Sequence, residues 1–117
     1  MGSDEILREV KYSSSTKSRI HNFEIKGGDS IKLTVPPTVY PPRRDTELLL
    51  QGLNSIKMQT GNLVEIGCGS GAISIAMALG GWNVTAFDVN PLAVVATIGN
   101  SKVAGVNDNV TVEEGGV

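Results

Sequence analysis

The sequence predicts an α/β fold, the first half of a doubly wound parallel sheet preceded by a β-hairpin. Over residues 62–114, short apolar strands alternate with helices through short links, a pattern typical of parallel strands joined by right-handed crossovers. Over residues 20–35, apolar and polar residues alternate on both sides of Gly27 and Gly28, which predicts two antiparallel strands and a tight turn. We therefore expect one domain over residues 20–117.

The composition of the chain argues against several classes of function. The chain has 117 residues, of which 40% are hydrophobic and 19% charged, with a net charge of −2, so it lacks the basic field that binds nucleic acid by charge alone. One histidine and the single cysteine, Cys68, are too few for a protein-only zinc site or an internal disulfide. No metal site is predicted. Without an apolar run long enough to span a membrane, we expect a cytoplasmic protein.

The residues before the alternating region divide into three segments. Residues 1–19 mix charges with a serine-rich run and are expected to form a flexible arm. Four prolines stiffen residues 36–44 into a rigid loop. A helix is predicted over residues 45–59, with Asp45 as its N-cap. Its expected buried stripe is Leu49, Gly52, Leu53 and Ile56.

The alternating region is predicted element by element. The strand at residues 63–66 ends in a glycine-rich turn, and the helix at residues 72–79 is apolar nearly all round, so it must be well covered. A strand at 83–87 precedes a helix from Pro91 to Ala104, and a third strand follows at 110–113. For the second of these helices, Asn90 is the expected N-cap, and its expected buried stripe is Leu92, Val95, Ala96, Gly99 and Val103.

The glycine-rich turn is the candidate binding motif. Gly67, Gly69 and Gly71 let bare backbone approach a ligand, and Asp88 ends the neighbouring strand, where a carboxylate can accept hydrogen bonds from both hydroxyls of a ribose. Together they predict a nucleoside-type cofactor. Because Gly67, Gly69 and Ala72 also satisfy the relaxed dinucleotide fingerprint, an NAD- or FAD-binding domain remains an alternative.

Two segments resemble a known enzyme class. Glu65-Ile66-Gly67-Cys68-Gly69-Ser70-Gly71 resembles the first signature of class I S-adenosylmethionine-dependent methyltransferases, and Phe87-Asp88-Val89-Asn90-Pro91 resembles the second. The resemblance implies a Rossmann-like sheet and S-adenosyl-L-methionine as the cofactor. It also implies that the turn wraps the methionine end, that Asp88 holds the ribose and that Glu65 orders the loop. The implied cofactor-binding residues are Glu65, Gly67, Cys68, Gly69, Ser70, Gly71, Asp88 and Asn90.

A third segment resembles one subgroup of that class. Residues 39–49 are similar to the Pro-Arg-x-(Asp or Glu)-Thr-Glu-Leu-Leu segment of HemK-like protein glutamine methyltransferases, in their short archaeal and eukaryotic form. This implies N-methylation of a protein glutamine, such as that of a peptide-chain release factor. An RNA methyltransferase of the same fold, or a silent module that only binds cofactor or partner, remains an alternative.

The chain also departs from that subgroup. The family's catalytic segment, Asn-Pro-Pro-Tyr, does not occur in the 117 residues, so the resemblance implies a truncated chain without catalytic residues that is inactive alone. The acid that contacts adenine in the family would align near Gly116, which departs from the pattern, and Glu113 or Glu114 would take its place only after a shift in register. Because the first parallel strand is left as an apolar edge, we also expect it to pair with a second copy or with further chain.

Side chains of the proline-rich loop have open roles. Arg43 and Arg44 either contact an acidic substrate or the cofactor carboxylate, or are simply solvated, and we do not assign them to the site. Tyr40 and Thr46 either shape the methyl-transfer pocket or pack the loop.

Overall fold

The computed structural model describes residues 17–25, 28–56 and 60–116. Eight helices and strands are found in this part of the chain. In order they are β1 (Arg19–Glu24), β2 (Ser30–Val35), α1 (Arg44–Asn54), β3 (Asn62–Ile66), α2 (Ala72–Leu79), β4 (Asn83–Asp88), α3 (Pro91–Val103) and β5 (Val110–Glu114). A short 3₁₀ turn at Asn107–Asn109 leads into β5.

The strands form two sheets. β1 and β2 pair antiparallel, and β3, β4 and β5 form a parallel sheet in that order. The predicted hairpin and parallel α/β sheet are therefore confirmed. Because Ile66 pairs with Phe87, the carboxyl ends of β3 and β4 lie side by side, and the residues that follow them meet at one edge of the sheet. Within the described sheet β3 is an edge strand, and the expected pairing there stays a prediction.

The hairpin buries one face. Along β2 the buried residues Ile31, Leu33 and Val35 alternate with exposed neighbours, the period-2 pattern of a half-buried strand. Gly28 has the left-handed φ of +83° that the turn requires, while Lys26 and Gly27 lie outside the described residues.

The predicted arm lies mostly outside the described residues, which begin at Lys17. Arg19, however, belongs to β1 and not to an arm. Its guanidinium donates to the carbonyl oxygen of Val39 at 2.7 Å, so the start of the hairpin is fixed to the proline-rich loop.

Helix α2 lies at the centre of the core. It contacts β2, β4, β5 and both other helices, which confirms that it is well covered. Its buried residues are Ala72, Ile73, Ser74, Ile75, Met77 and Ala78.

Helix α1 differs from its prediction at both ends. Its N-cap is Arg43, and Asp45 lies in the first turn, where the carboxylate still favours the helix N-terminus. The helix ends at Asn54, because the Ser55 hydroxyl donates to the Gly52 carbonyl oxygen at 2.6 Å and competes with a further helical turn. The predicted extent to residue 59 was too long, and residues 57–59 lie outside the described residues.

The buried face of α1 was also predicted wrongly. Leu50 is its buried residue and Leu53 packs partly against the core, whereas Leu49 and Ile56 are 53% and 50% exposed. Leu48, Leu49 and Leu50 are consecutive, so the apolar pattern alone does not determine which of them faces inward.

Helix α3 begins where predicted and ends at Val103, one residue before the predicted end, but its buried face differs from the prediction. Asn90 caps it by accepting a hydrogen bond from the Leu92 N–H at 3.0 Å, Pro91 occupies the first turn, and Gly105 follows with a φ of +76°. The predicted apolar stripe, however, is largely exposed: Leu92, Val95 and Val103 are 43%, 68% and 73% accessible. The buried residues are instead Ala93, Thr97, Asn100 and Ser101.

None of the described helices is both long and apolar enough to cross a membrane.

Replacing Leu33 by alanine is expected to destabilise the protein by about 2–5 kcal/mol, because Leu33 is fully buried and the smaller side chain leaves a cavity. Leu48→Ala is the matched control, since Leu48 is 51% exposed and should cost below about 1 kcal/mol. Urea unfolding measures both. Equal losses in the two variants would place the hairpin outside the core.

Candidate functional site

A cavity of about 590 Å³ lies at the carboxyl ends of β3 and β4. Its wall combines the glycine turn, the acids of β3 and β4, and the proline-rich loop over residues 38–43. Of the residues that the sequence assigned to the site, those lining the cavity are Glu65, Gly67, Cys68, Gly69, Ser70, Asp88 and Asn90. Gly71 does not line the cavity, and is instead the N-cap residue of α2.

The glycine turn is anchored on β4 by its backbone. The N–H groups of Gly67 and Cys68 both donate to the carbonyl oxygen of Phe87, at 2.7 and 3.0 Å. The Gly71 N–H donates to the Cys68 carbonyl oxygen at 2.9 Å and closes the turn. Gly67, Gly69 and Gly71 have φ values of +80°, +57° and +93°, a conformation that residues with a Cβ adopt at a cost.

Asp88 joins the turn to the loop after β4. One carboxylate oxygen accepts from the Gly69 N–H at 2.9 Å, and the other accepts from the Asn90 N–H at 2.9 Å. The resemblance implied that Glu65 orders the turn, but in this structure it is Asp88 that bonds the turn directly. Each carboxylate oxygen has a second lone pair, so Asp88 keeps acceptor capacity toward the cavity.

Glu65 is held from the side of α2. Its carboxylate accepts from the Ser74 hydroxyl at 2.5 Å. Burial raises the pKa of Glu65 from its usual 4.5 to about 7, the Ser74 hydrogen bonds partly oppose this, and the charge of Asp88 adds to it. Burial therefore favours the neutral form of Glu65 over a wider pH range than for a carboxyl group in water.

Cys68 is a buried part of the turn. The Thr97 hydroxyl lies 3.4 Å from its sulfur, and burial raises the pKa of the thiol above its usual value. The thiol is therefore protonated at neutral pH, which fits a packing role and not that of a nucleophile.

The proline-rich loop closes the other side of the cavity. Tyr40 and Arg43 of this loop, together with Thr46 of α1, line the cavity. The Arg43 guanidinium lies 5.5 Å from the centre of the Tyr40 ring. Arg44 instead forms an exposed ion pair with Glu47 at 3.3 Å. The structure thus separates two arginines that the sequence left equivalent.

Asn90 connects this loop to α3. Besides capping the helix, its side-chain amide donates to the Thr38 hydroxyl at 3.2 Å. Thr38 has a φ of +67°, the one left-handed value among the described non-glycine residues, so the loop stores local strain beside the cavity.

Two residues of the site were missed by sequence reasoning. The Thr97 hydroxyl donates to the Gly69 carbonyl oxygen at 3.0 Å, and the Asn100 amide donates to the Ser70 carbonyl oxygen at 2.8 Å. The sequence pattern that could have identified them is the set of polar residues at positions 97, 100 and 101. Their i, i+3, i+4 spacing places them on one face of a helix.

The arrangement suits a polar small molecule that carries hydroxyl groups and positive charge. The turn offers backbone close to the ligand, while Glu65 and Asp88 supply acceptors and negative charge. Within the described residues, no three His, Cys, Asp or Glu side chains are grouped so as to hold a metal ion.

Comparison with known proteins places this chain in a family. The model of the ribosomal protein L11 methyltransferase (PrmA) family matches residues 43–116. A curated relative from Methanocaldococcus jannaschii, named "Putative protein N5-glutamine methyltransferase", is 42% identical over 86 residues, 73% of this chain and 41% of its own length. The ribosomal protein L11 methyltransferase of Methylococcus capsulatus is 28% identical over 96% of this chain and 40% of its own. The chain thus spans about two fifths of these two relatives.

Solved structures share the fold. Pyrococcus horikoshii TYW2, solved in complex with MeSAdo, superposes with a TM-score of 0.65 at 17% identity, over 86% of this chain and 36% of its own. The Pyrococcus abyssi tRNA (uracil-54, C5)-methyltransferase, solved with S-adenosyl-L-homocysteine, gives a TM-score of 0.63 at 17% identity, over 82% and 24%. Both are α/β proteins of the predicted class.

Alanine at Gly71 is expected to destabilise the protein more than alanine at Gly67. Both glycines are left-handed, which costs about 1–2 kcal/mol for a residue with a Cβ. A Cβ at Gly71 would also lie 2.9 Å from the Thr97 methyl group, whereas a Cβ at Gly67 meets nothing within 4 Å. The extra overpacking should cost about 1–3 kcal/mol. Urea unfolding of the two variants checks this, and equal losses would contradict it.

The stability of the protein is expected to fall as the pH rises from about 4.5 to 7 through the titration of Glu65. Its pKa is higher in the folded state, so the folded state holds the proton more tightly and the stabilisation is lost on deprotonation. The loss reaches up to about 3 kcal/mol. Glu65→Gln should flatten this part of the pH profile, measured by urea unfolding between pH 4 and 8.

The matched control is Glu113→Gln, which makes the same change of side chain at an exposed position of β5. A Glu65→Gln profile as steep as that of the wild type would assign the pH dependence to other groups.

Proposed function

The chain belongs to the ribosomal protein L11 methyltransferase (PrmA) family of S-adenosylmethionine-dependent enzymes, and we propose that the cavity beside its glycine turn binds S-adenosyl-L-methionine. The observation that carries this is the 2.9 Å hydrogen bond between the Gly69 N–H and Asp88. It brings the glycine turn and the acid at the end of β4 within the length of one cofactor. In the proposed pose the turn borders the methionine end and Asp88 accepts from the ribose hydroxyls.

The charges of the cavity support this cofactor over a dinucleotide. S-adenosylmethionine carries a sulfonium and an ammonium group, which two neighbouring carboxyl groups favour. NAD and FAD would instead place a pyrophosphate against the glycine turn, where the negative charge of an ionised Glu65 would disfavour it. The cavity thus supports the sulfonium cofactor on electrostatic grounds.

For the whole protein we propose N-methylation of a glutamine side chain in a protein such as a peptide-chain release factor. The support is the similarity of residues 39–49 to HemK-like enzymes, together with the named activity of the M. jannaschii relative. The second candidate substrate is a ribosomal protein, favoured by the match to the L11 methyltransferase family.

Methyl transfer is an in-line displacement that depends mainly on the alignment of the acceptor with the sulfonium. An amide nitrogen is a weak nucleophile and needs groups that hold it in the reactive orientation. No Asn-Pro-Pro-Tyr segment, which would hold it in HemK-like enzymes, occurs in the 117 residues. We therefore propose that these residues bind the cofactor and that turnover requires groups beyond them.

Calorimetric titration with S-adenosylhomocysteine tests the cofactor. We expect saturable binding and a raised melting temperature with this ligand, and no shift with NAD. Asp88→Ala should weaken binding by about 10- to 100-fold, because two charge-assisted hydrogen bonds are lost. Asp108→Asn is the matched control, since Asp108 is an exposed acid in the turn that leads into β5 and does not line the cavity.

A melting-temperature shift with NAD and none with S-adenosylhomocysteine would overturn the cofactor assignment. Equal affinities of the Asp88→Ala and Asp108→Asn variants would instead contradict the role of Asp88.

A further inference from the structure

We propose that Thr97 and Asn100 are positioning residues that aim the backbone of the glycine turn at the cofactor and couple the turn to the hairpin. This inference rests on the proposed function and deepens it. It assigns a role to the buried polar face of α3, which is formed by Thr97, Asn100 and Ser101.

Thr97 fixes the direction of one peptide unit. It is fully buried, and its hydroxyl donates to the Gly69 carbonyl oxygen at 3.0 Å. In a trans peptide the carbonyl oxygen and the following N–H point in opposite directions. Drawing the Gly69 carbonyl toward α3 therefore turns the Ser70 N–H away from α3.

The Ser70 N–H is the group that this geometry makes available to a ligand. Ser70 lines the cavity. Its N–H donates to no atom of the described residues, whereas the neighbouring Gly69 and Gly71 N–H groups bond Asp88 and Cys68. A backbone donor next to a cavity is suited to the carboxylate of an amino-acid-like ligand, which is the methionine end in the proposed pose.

Asn100 fixes the next peptide unit. It is 3% exposed, and its amide nitrogen donates to the Ser70 carbonyl oxygen at 2.8 Å. The same nitrogen donates to the Thr34 carbonyl oxygen at 3.0 Å, and its oxygen accepts from the Thr34 N–H at 2.9 Å. One side chain thus pairs with the backbone of β2 and holds the turn.

This network makes the turn depend on the hairpin. A shift of β2 would move Asn100 and, with it, the Ser70 carbonyl oxygen. The Asn90 side chain adds a second connection, through Thr38, between α3 and the loop that follows β2. Side-chain hydrogen bonds, in addition to apolar packing, therefore make the position of the glycine turn depend on the position of the hairpin.

The test compares isosteric variants at these positions. Thr97→Val keeps the shape and removes the hydroxyl, and Thr97→Ser keeps the hydroxyl. Asn100→Asp keeps the acceptor for Thr34 and removes both donated bonds. Ser101→Ala is the matched control, because Ser101 is equally buried on the same helix but donates only to the Thr97 carbonyl oxygen within its own helix.

Two readouts separate positioning from stability. Calorimetry should give dissociation constants for S-adenosylhomocysteine that are raised about tenfold in Thr97→Val and Asn100→Asp. This is the effect of losing one hydrogen bond to the ligand, that of the Ser70 N–H. Thr97→Ser and Ser101→Ala should stay within about twofold, whatever their melting temperatures. In the unliganded protein, hydrogen exchange of the Gly69 and Gly71 amides should accelerate in the first two variants only, relative to amides of α2.

The possible failures are distinguishable. If the wild type does not bind S-adenosylhomocysteine, the proposed function fails, while accelerated exchange in the same variants would still support the positioning of the turn. If the wild type binds and the valine and aspartate variants match Ser101→Ala in both affinity and exchange, the inference is wrong.

Discussion

The hydrogen bond from the Gly69 N–H to the Asp88 carboxylate is the constraint on which the site depends. It connects the turn after β3 to the end of β4, two segments that parallel pairing already places side by side. The turn needs such a partner because its glycines have few conformational restrictions of their own. The backbone bonds to Phe87 fix the first half of the turn, and Asp88 fixes its centre.

The rear of the turn is held by a second, polar layer. A hydroxyl or amide buried without partners costs a few kcal/mol, which is why helix faces toward a core are usually apolar. This penalty does not apply to the buried face of α3, because Thr97, Asn100 and Ser101 all have hydrogen-bond partners. A purely apolar face would pack as well but would leave the Gly69 and Ser70 carbonyl oxygens unsatisfied.

The sequence predicted the elements that carry strong local signals. The alternation in β2, the Asn90-Pro91 start of α3 and the glycines that follow β3 each have one low-energy structural interpretation. The buried faces of α1 and α3 could not be predicted in this way. Val95 and Val103 are apolar and exposed while Asn100 is polar and buried, because the hydrogen-bond partners of Asn100 lie in segments distant along the chain.

The same distinction, between what local sequence predicts and what only the fold sets, applies to the residues of the site. The sequence identified Glu65 and Asp88 from their positions at the ends of strands, but it could not tell which of them bonds the turn. That depends on the distance between side chain and backbone, which only the fold sets. Likewise, Arg43 and Arg44 are adjacent in sequence, yet the helix that begins between them sends one to the cavity and the other to an ion pair on the surface.

The charge state of Glu65 relates the stability of the fold to the proposed ligand. Burial and the neighbouring Asp88 disfavour its ionised form, so the folded protein carries a carboxyl group whose deprotonation destabilises it. A cation placed between the two acids reverses this preference, because it favours the ionised form. Stability lost to an unfavourable charge in the unliganded protein is then regained on binding, as expected where a site is arranged for its ligand instead of for the fold alone.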